Sequence, residues 1–104
     1  MGENTNIVLT EAVYYILLSL MKPLHGYGIM QKVSEMPGNR LIISAGTLYG
    51  AINTLLDRGW IKQPTVQEES RRKEYVIPDE GRTALVNELE RLRELVANGE
   101  AILR

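Results

Sequence analysis

The sequence of 104 residues contains no cysteine and only one histidine, His25. Without cysteine, neither a disulfide framework nor a thiolate metal site can form. The sequence also has no evident nucleophile–base pair and no phosphate-cradling glycine loop, which leaves little room for an enzyme. Gly26 and Gly28 do not make a dinucleotide fingerprint, because no strand precedes them and the third glycine is missing. We therefore predict no catalytic residue, no metal and no cofactor.

Long hydrophobic runs are also missing. The longest mostly apolar stretch, residues 16–21, is far shorter than the roughly 20 residues that a membrane-spanning helix needs. Glu11 precedes it where a signal peptide would carry basic residues. The sequence therefore predicts no membrane association, and a cytoplasmic location is the expectation.

An excess of positive charge, the usual sign of a nucleic-acid-binding protein, is missing from the chain as a whole, whose formal net charge is −1. The distribution of charge is more informative than this sum. Residues 37–78 contain six basic and four acidic side chains, whereas the segments on both sides have an acidic excess. Any contact with phosphate should therefore come mainly from the middle of the chain.

Capping residues and apolar periodicity predict four helices and three short strands. The helices run from Glu11 to about Met21 with Thr10 as cap, from about Gly26 to Met36, from the cap Ser44 to Arg58 with Gly59 beyond it, and from Asp79 or Glu80 onward. The strands are residues 41–43, 60–62 and 74–77, of which the last two form a β-hairpin. This order predicts a mainly α fold with a small β-hairpin wing (α+β), namely a winged helix-turn-helix domain over residues 1–78.

The third predicted helix is the candidate DNA-reading element, because the helix after the turn of such a motif enters the major groove. Ser44, Thr47 and Tyr49 place hydroxyl groups near its N-terminus, and Gly50 lies on its small, uncharged face. Asn53 follows on the same face, where an amide can pair with adenine. Each residue also has a simpler interpretation: Ser44 and Thr47 as helix caps, Asn53 as a solvated side chain, and Tyr49, like Tyr27, as a core aromatic with a wet hydroxyl.

The predicted wing supplies the basic residues Arg71, Arg72 and Lys73, which can meet phosphates or a minor groove. Acidic neighbours surround this run, so a self-neutralised surface turn is the alternative. Trp60 is expected to pack beneath the wing, and His25 is expected to cap or pack rather than catalyse.

The last helix, over residues 79–104, is predicted to form a homodimer. Its leucines and valine follow a heptad-like spacing, which is typical of a helix–helix seam. The first helix is apolar around most of its circumference, so we expect it to be buried on more than one side. The residues assigned to dimerisation are Tyr14, Leu18, Leu85, Leu89, Leu92, Val96 and Leu103.

Four motifs in this order resemble the PadR family of transcriptional regulators. They are residues 25–29 (HGYGI), 46–49 (GTLY), 55–61 and 72–77 (RKEYVI), followed by Gly81. The resemblance implies a winged-helix domain that binds DNA through Tyr49, the exposed face of the third helix and the basic wing. It also implies the short form of the family, in which one C-terminal helix packs against the first and last helices of the partner.

Two departures limit what the resemblance implies. The third helix has no lysine or arginine before Arg58, so base reading would depend on Thr47 and Asn53 or on DNA shape. Some family members bind flat aromatic compounds with a tryptophan of the last helix, but the only tryptophan here is Trp60. A drug-binding pore is therefore not predicted, although Tyr14 and Tyr15 can line a small cavity.

The leading hypothesis is a homodimeric transcriptional repressor that binds a pseudo-palindromic operator in double-stranded DNA. A winged-helix module that binds proteins instead is the alternative, favoured by the acidic balance and the uncharged helix face. A small-molecule effector at a dimer interface remains open, and it would act only through unequal affinity for DNA-competent and incompetent dimers.

Overall fold

The computed structural model of the chain describes residues 8–64 and 73–104. Its elements are α1 Glu11–Ser19, β1 Leu24–His25, α2 Gly26–Ser34, α3 Ala45–Arg58, β2 Glu74–Tyr75 and α4 Asp79–Leu103. The two strands pair in antiparallel fashion. The prediction of a mainly helical fold with a small β-structure is therefore confirmed.

The helices begin and end where their capping residues direct. The Val13 backbone N–H donates to the Thr10 hydroxyl at the start of α1, and Gly59 ends α3 in the left-handed conformation, with φ of +76°. Such a φ favours glycine, because a Cβ is disfavoured there. α1 and α2 each end two residues earlier than predicted, and α4 begins at Asp79 as predicted.

The hydrophobic core lies where α1, α2 and α3 meet, and the wing and the first half of α4 close it. Burying a large apolar side chain contributes roughly 1.5–3 kcal/mol, so these positions supply most of the driving force for folding. The buried apolar residues are Ile16, Leu17, Leu20, Ile29, Val33, Ile43, Leu48, Ile52, Leu55, Ile61, Tyr75 and Leu85.

The wing is held by pairings on two sides. Leu24 and His25 of β1 lie opposite Tyr75 and Glu74 of β2. The next residue, Val76, exchanges two backbone hydrogen bonds with Lys62, at 2.8 and 2.9 Å. The predicted hairpin between residues 60–62 and 74–77 thus pairs at this point, and residues 65–72 of its turn lie outside the described residues.

The prediction of a strand at residues 41–43 is wrong. Ile43 is buried directly before the Ser44 cap, where it can pack on Leu48, one turn into α3. Ile42 points outward and is 84% exposed, and Arg40 is held by an ion pair with Glu11, 2.7 Å from nitrogen to oxygen. Residues 41–43 thus lead directly into α3. The strand that pairs with β2 of the wing is β1 instead.

The long helix α4 packs by its first half against α1. Gly81 lies directly against the backbone carbonyl of Trp60, and a Cβ at this position would collide with that oxygen. This close approach fixes the start of α4 against the base of the wing. In residues 8–64 and 73–104, no helix combines the length and apolar character needed to cross a membrane.

Candidate nucleic-acid interface

Two hydroxyl groups lie at the N-terminus of α3, and one of them caps the helix. The Thr47 backbone N–H donates to the Ser44 hydroxyl at 3.2 Å, and the Ser44 hydroxyl lies 3.2 Å from that of Thr47. The capping interpretation of Ser44 is therefore confirmed. Both residues are exposed, so each has hydrogen-bonding capacity left for a partner from outside the chain.

One side of α3 lies open to solvent along its whole length. Gly46, Gly50 and Asn53 recur at helical spacing on this side, and all three are exposed. A Cβ at Gly46 or Gly50 would meet no atom of the chain within 4 Å. A glycine inside a helix costs roughly 0.5–1 kcal/mol relative to alanine, and no contact within the described chain offsets that cost here. The face is therefore smooth enough for another surface to approach the helix backbone closely.

An acidic residue that the sequence reasoning did not weigh lies at the far end of this open face. Asp57 follows Asn53 by one turn and is exposed. Its charge opposes phosphate at the C-terminal end of α3, and so favours an approach by the N-terminal half. The periodicity alone was enough to find it.

Tyr49 stands at the edge of the open face and connects three elements. Its hydroxyl lies over Gly26 of α2 so closely that a Cβ at Gly26 would collide with it. On the wing side Tyr49 lies near Tyr75. The pKa of Tyr75 is raised, mainly by burial and further by the nearby Tyr49, while a hydrogen bond with Gln63 lowers it. Although Tyr49 packs in this way, it remains 45% exposed, so it is not a core residue.

The basic residues of this region lie at the end of α3 and in the wing rather than on the open face. The guanidinium of Arg58 lies over the Trp60 ring, 5.0 Å from its centroid, and this cation–π contact directs it toward the base of the wing. Lys62 and Lys73 are exposed on the two paired segments of the wing. The predicted contacts Arg71 and Arg72 lie outside the described residues.

His25 caps α2, as expected. Its Nδ1 accepts a hydrogen bond from the Gly28 backbone N–H at 3.3 Å, so this nitrogen is already used by the fold. Within residues 8–64 and 73–104, no group of three histidine, cysteine or acidic side chains is placed to hold a metal ion.

The residues assigned to dimerisation differ in exposure. Tyr14 and Leu18 of α1 are half-buried, and so is Leu92 of α4. Leu85 is only 7% exposed because it belongs to the core of its own chain. Further along α4, Leu89 and Val96 are exposed to 38% and 62% and Leu103 to 84%. Leu95 and Ile102, which the heptad spacing did not select, are also exposed apolar residues of the second half of α4.

A buried ion pair marks the middle of α4. The Glu88 carboxylate accepts two hydrogen bonds from the Arg91 guanidinium, at 2.9 and 2.6 Å. These hydrogen bonds lower the pKa of Glu88, and a hydrogen bond from the Leu9 backbone adds to the effect, while burial opposes it. Glu88 thus connects α4 to the segment that precedes α1.

Helices α2 and α3, the turn between them and the segments after α3 that pair at Lys62 and Val76 define a winged helix-turn-helix protein, with α3 in the position of the DNA-reading helix. A family model described as "Transcriptional regulator PadR-like family" matches residues 15–87. The chain belongs to this family of transcriptional regulators and is not an enzyme, which confirms both predictions.

Solved structures share this fold. A PadR family transcription regulator from hypervirulent Clostridium difficile has 24% identity and a TM-score of 0.76, with coverage of 91% of this chain and all of the other. A PadR-like transcription factor from Bacteroides fragilis has 25% identity and a TM-score of 0.71, with coverage of 88% and 87%.

A third similar structure is that of Bacillus subtilis PadR in complex with operator DNA. It has 28% identity and a TM-score of 0.63, with coverage of 74% of this chain and 45% of the other. No curated protein matches the chain at a significant level.

Proposed function

We propose that the chain is a homodimeric repressor that reads a pseudo-palindromic operator with the open face of α3. The observation that carries the proposal is the open side of α3, which has no charged residue before Asp57 and on which a Cβ at Gly46 or Gly50 would meet no atom within 4 Å. The similarity to Bacillus subtilis PadR, which was solved in complex with operator DNA, supports binding to an operator. A regulator of this kind must reach its operator DNA, so the proposal includes a cytoplasmic location.

Sequence reading is assigned to Thr47 and Asn53. The amide of Asn53 can pair with both the N6 and the N7 of adenine, a contact worth about 1–3 kcal/mol of discrimination. Ser44 and Tyr49 are assigned to phosphate, together with Lys73 of the wing and the predicted contacts Arg71 and Arg72. Because α3 has no cation before Arg58, much of the remaining specificity falls to DNA shape.

Dimerisation is assigned to the exposed apolar face of α4 together with α1 of the partner. Leu95, Val96, Ile102 and Leu103 are all more than half exposed. In a symmetric dimer eight such side chains would gain roughly 12 kcal/mol at the lower figure of about 1.5 kcal/mol each. This gain is comparable with the roughly 4–15 kcal/mol that association costs. The half-buried Tyr14 and Leu18 of α1 are therefore needed to complete the interface.

The first test is the affinity of the purified chain for duplex DNA from upstream of its own gene, measured by fluorescence anisotropy at moderate salt. We expect tighter binding than to random duplex, with two half-sites about 10 base pairs apart. Asn53→Ala should relax the preference at one base pair per half-site. Lys73→Ala should weaken all sequences alike and reduce the slope of log affinity against log salt.

The alternative is a winged-helix module that binds a protein. Asp57 at the end of the open face favours it, because an acidic group there opposes a nucleic acid. Equal, weak binding of the upstream and random duplexes would reject the operator proposal in favour of this alternative. Repression is tested separately, by transcription from the upstream promoter with and without the chain. A small-molecule effector would alter that repression only by binding one dimer state more tightly.

A further inference from the structure

The first turn of α2 presents a large aromatic side chain to solvent. Tyr27 is 64% exposed, whereas Ile29 and Val33 of the same helix are fully buried. Among residues 8–64 and 73–104, no side chain or backbone group forms a hydrogen bond with its hydroxyl. Within the part of the chain that the structure describes, neither the core nor a hydrogen bond therefore accounts for a tyrosine here.

The ring of Tyr27 stacks on a neighbouring ring, although its hydroxyl has no partner among the described residues. It lies parallel to the His25 ring, with 9° between the planes and 6.5 Å between the centroids. The His25 ring is itself fixed, because its Nδ1 accepts the capping hydrogen bond of α2. In a neutral histidine the other ring nitrogen is then the donor. The exposed donor of the pair is the Tyr27 hydroxyl.

This aromatic pair adjoins the proposed DNA-reading face. Gly26, the residue between its two members, lies directly beneath the hydroxyl of Tyr49. Tyr49 in turn stands at the edge of the open side of α3. Tyr27, Tyr49 and Asn53 are all exposed, and Tyr49 contacts the first turn of α2, where Tyr27 also lies.

We propose that Tyr27 donates its hydroxyl to a phosphate of the duplex backbone, beside the groove that α3 reads. This inference rests on the proposed DNA binding and adds a contact outside α3 and the wing. The first helix of a helix-turn-helix motif crosses the sugar–phosphate backbone, and tyrosine hydroxyls are common phosphate donors. The net charge of the chain is −1, so it has no excess of cations for phosphate. A neutral hydroxyl can contact phosphate and position the duplex without a cation.

The test is Tyr27→Phe, which removes the hydroxyl and keeps the ring against His25. A hydrogen bond to a charged group is worth about 1.5–3 kcal/mol, so we expect affinity to fall roughly tenfold or more. The loss should be equal for operator and random duplexes, because phosphate contacts carry no sequence information. The salt slope should stay as in the wild type, since no cation is lost, whereas Lys73→Ala should reduce it.

The matched control is Tyr15→Phe, which removes the hydroxyl of a half-buried tyrosine in α1 and should leave DNA affinity unchanged. His25→Asn keeps a capping oxygen for Gly28 but removes the stacked ring, and should reproduce part of the loss at an unchanged melting temperature. Wild-type affinity of Tyr27→Phe overturns the inference, and so does a loss at one base position only. If the wild-type chain binds no duplex, that result rejects the proposed DNA binding itself and not only the Tyr27 contact.

Discussion

The helices α3 and α4 each leave one face outside the fold, and the two faces are chemically opposite. On α3 the open face consists of glycine and short polar residues such as Asn53. On the second half of α4 it consists of Leu95, Val96, Ile102 and Leu103. One surface has almost no apolar area to bury, whereas the other has a continuous strip of it.

This difference indicates which kind of partner each helix suits. The apolar strip of α4 gains free energy from any surface that removes it from water, and a second copy of the strip meets that requirement. The face of α3 offers close approach and hydrogen bonds but little hydrophobic gain. A partner for α3 must therefore bring charge and hydrogen-bonding edges of its own, as a DNA groove does.

The comparison also holds within α4, where one helical face changes its role. Leu85 is buried in the core, Leu92 is half-buried, and Val96 and Leu103 are exposed. The face is continuous, but the body of the chain covers only its first half. A single helix can in this way fasten the DNA-binding domain and leave its other half for a second copy.

The largest expected effect comes from placing a charge on the apolar strip. Val96→Asp would bury a carboxylate at the proposed dimer interface twice, once from each chain. We expect the dimer dissociation constant to rise by at least about 100-fold, because an unpaired buried charge is strongly unfavourable. Sedimentation equilibrium at micromolar concentration measures this change.

The matched control for this charge is Ala97→Asp, one residue further on the opposite, exposed face of α4. It adds the same charge and should leave the oligomeric state as in the wild type. Dimers that persist in a Val96→Asp, Leu103→Asp double variant would contradict the assignment of this strip, and the comparison between the helices would fail.

Local signals were enough to predict most of the fold and most of the α3 face, from which Asp57 was left out. The caps Thr10 and Ser44 and the terminal Gly59 act within a few residues, so a sequence reader can recognise them. The buried positions of α3 follow from its periodicity, and the open face follows as their complement. Nothing beyond the helix itself had to be known.

The errors arose where distant segments decide the outcome. Residues 41–43 have strand-forming side chains, but Leu24–His25 is the segment that meets β2. The heptad spacing identified the apolar face of α4, but not the point where the domain stops covering it. Similarly, exposure of Tyr27 depends on what packs beside α2, and the interpretation of Tyr27 as a core aromatic was wrong, since it is 64% exposed.

The second prediction tests the α3 side of the comparison. Gly50→Leu adds bulk where a Cβ meets nothing within 4 Å, so the fold has room for it. Replacing a helical glycine should raise the free energy of unfolding by about 0.5–1 kcal/mol. DNA affinity should instead fall at least about tenfold, because the helix can no longer approach the groove closely.

Thr83→Leu is the control for bulk, since Thr83 is exposed on α4 and belongs to no proposed interface. Melting curves and anisotropy titrations on both variants separate stability from binding. If Gly50→Leu gained stability and kept wild-type DNA affinity, the open face would not be the reading surface, and the protein-binding alternative would gain support.

The smallest expected effect concerns Glu88, near the middle of α4. Its pKa lies below the ordinary value of 4.5 in the folded chain, chiefly because Arg91 hydrogen-bonds to the carboxylate. Its contribution to stability is therefore present above that ordinary value and is lost as the pH falls through the folded pKa. Glu88→Gln should melt at a lower temperature than the wild type at about pH 6, and the gap should narrow toward about pH 3.

Glu90→Gln provides the control, since Glu90 is 61% exposed and forms a longer ion pair with Arg93, at 3.6 Å. Exposed pairs of this kind contribute little, so its pH profile should follow that of the wild type. A constant gap between Glu88→Gln and the wild type across this range would show that the ionised pair adds nothing to the packing of α4 on the domain. The covered half of the helix would then be held by its apolar contacts alone, as the proposed dimer interface is.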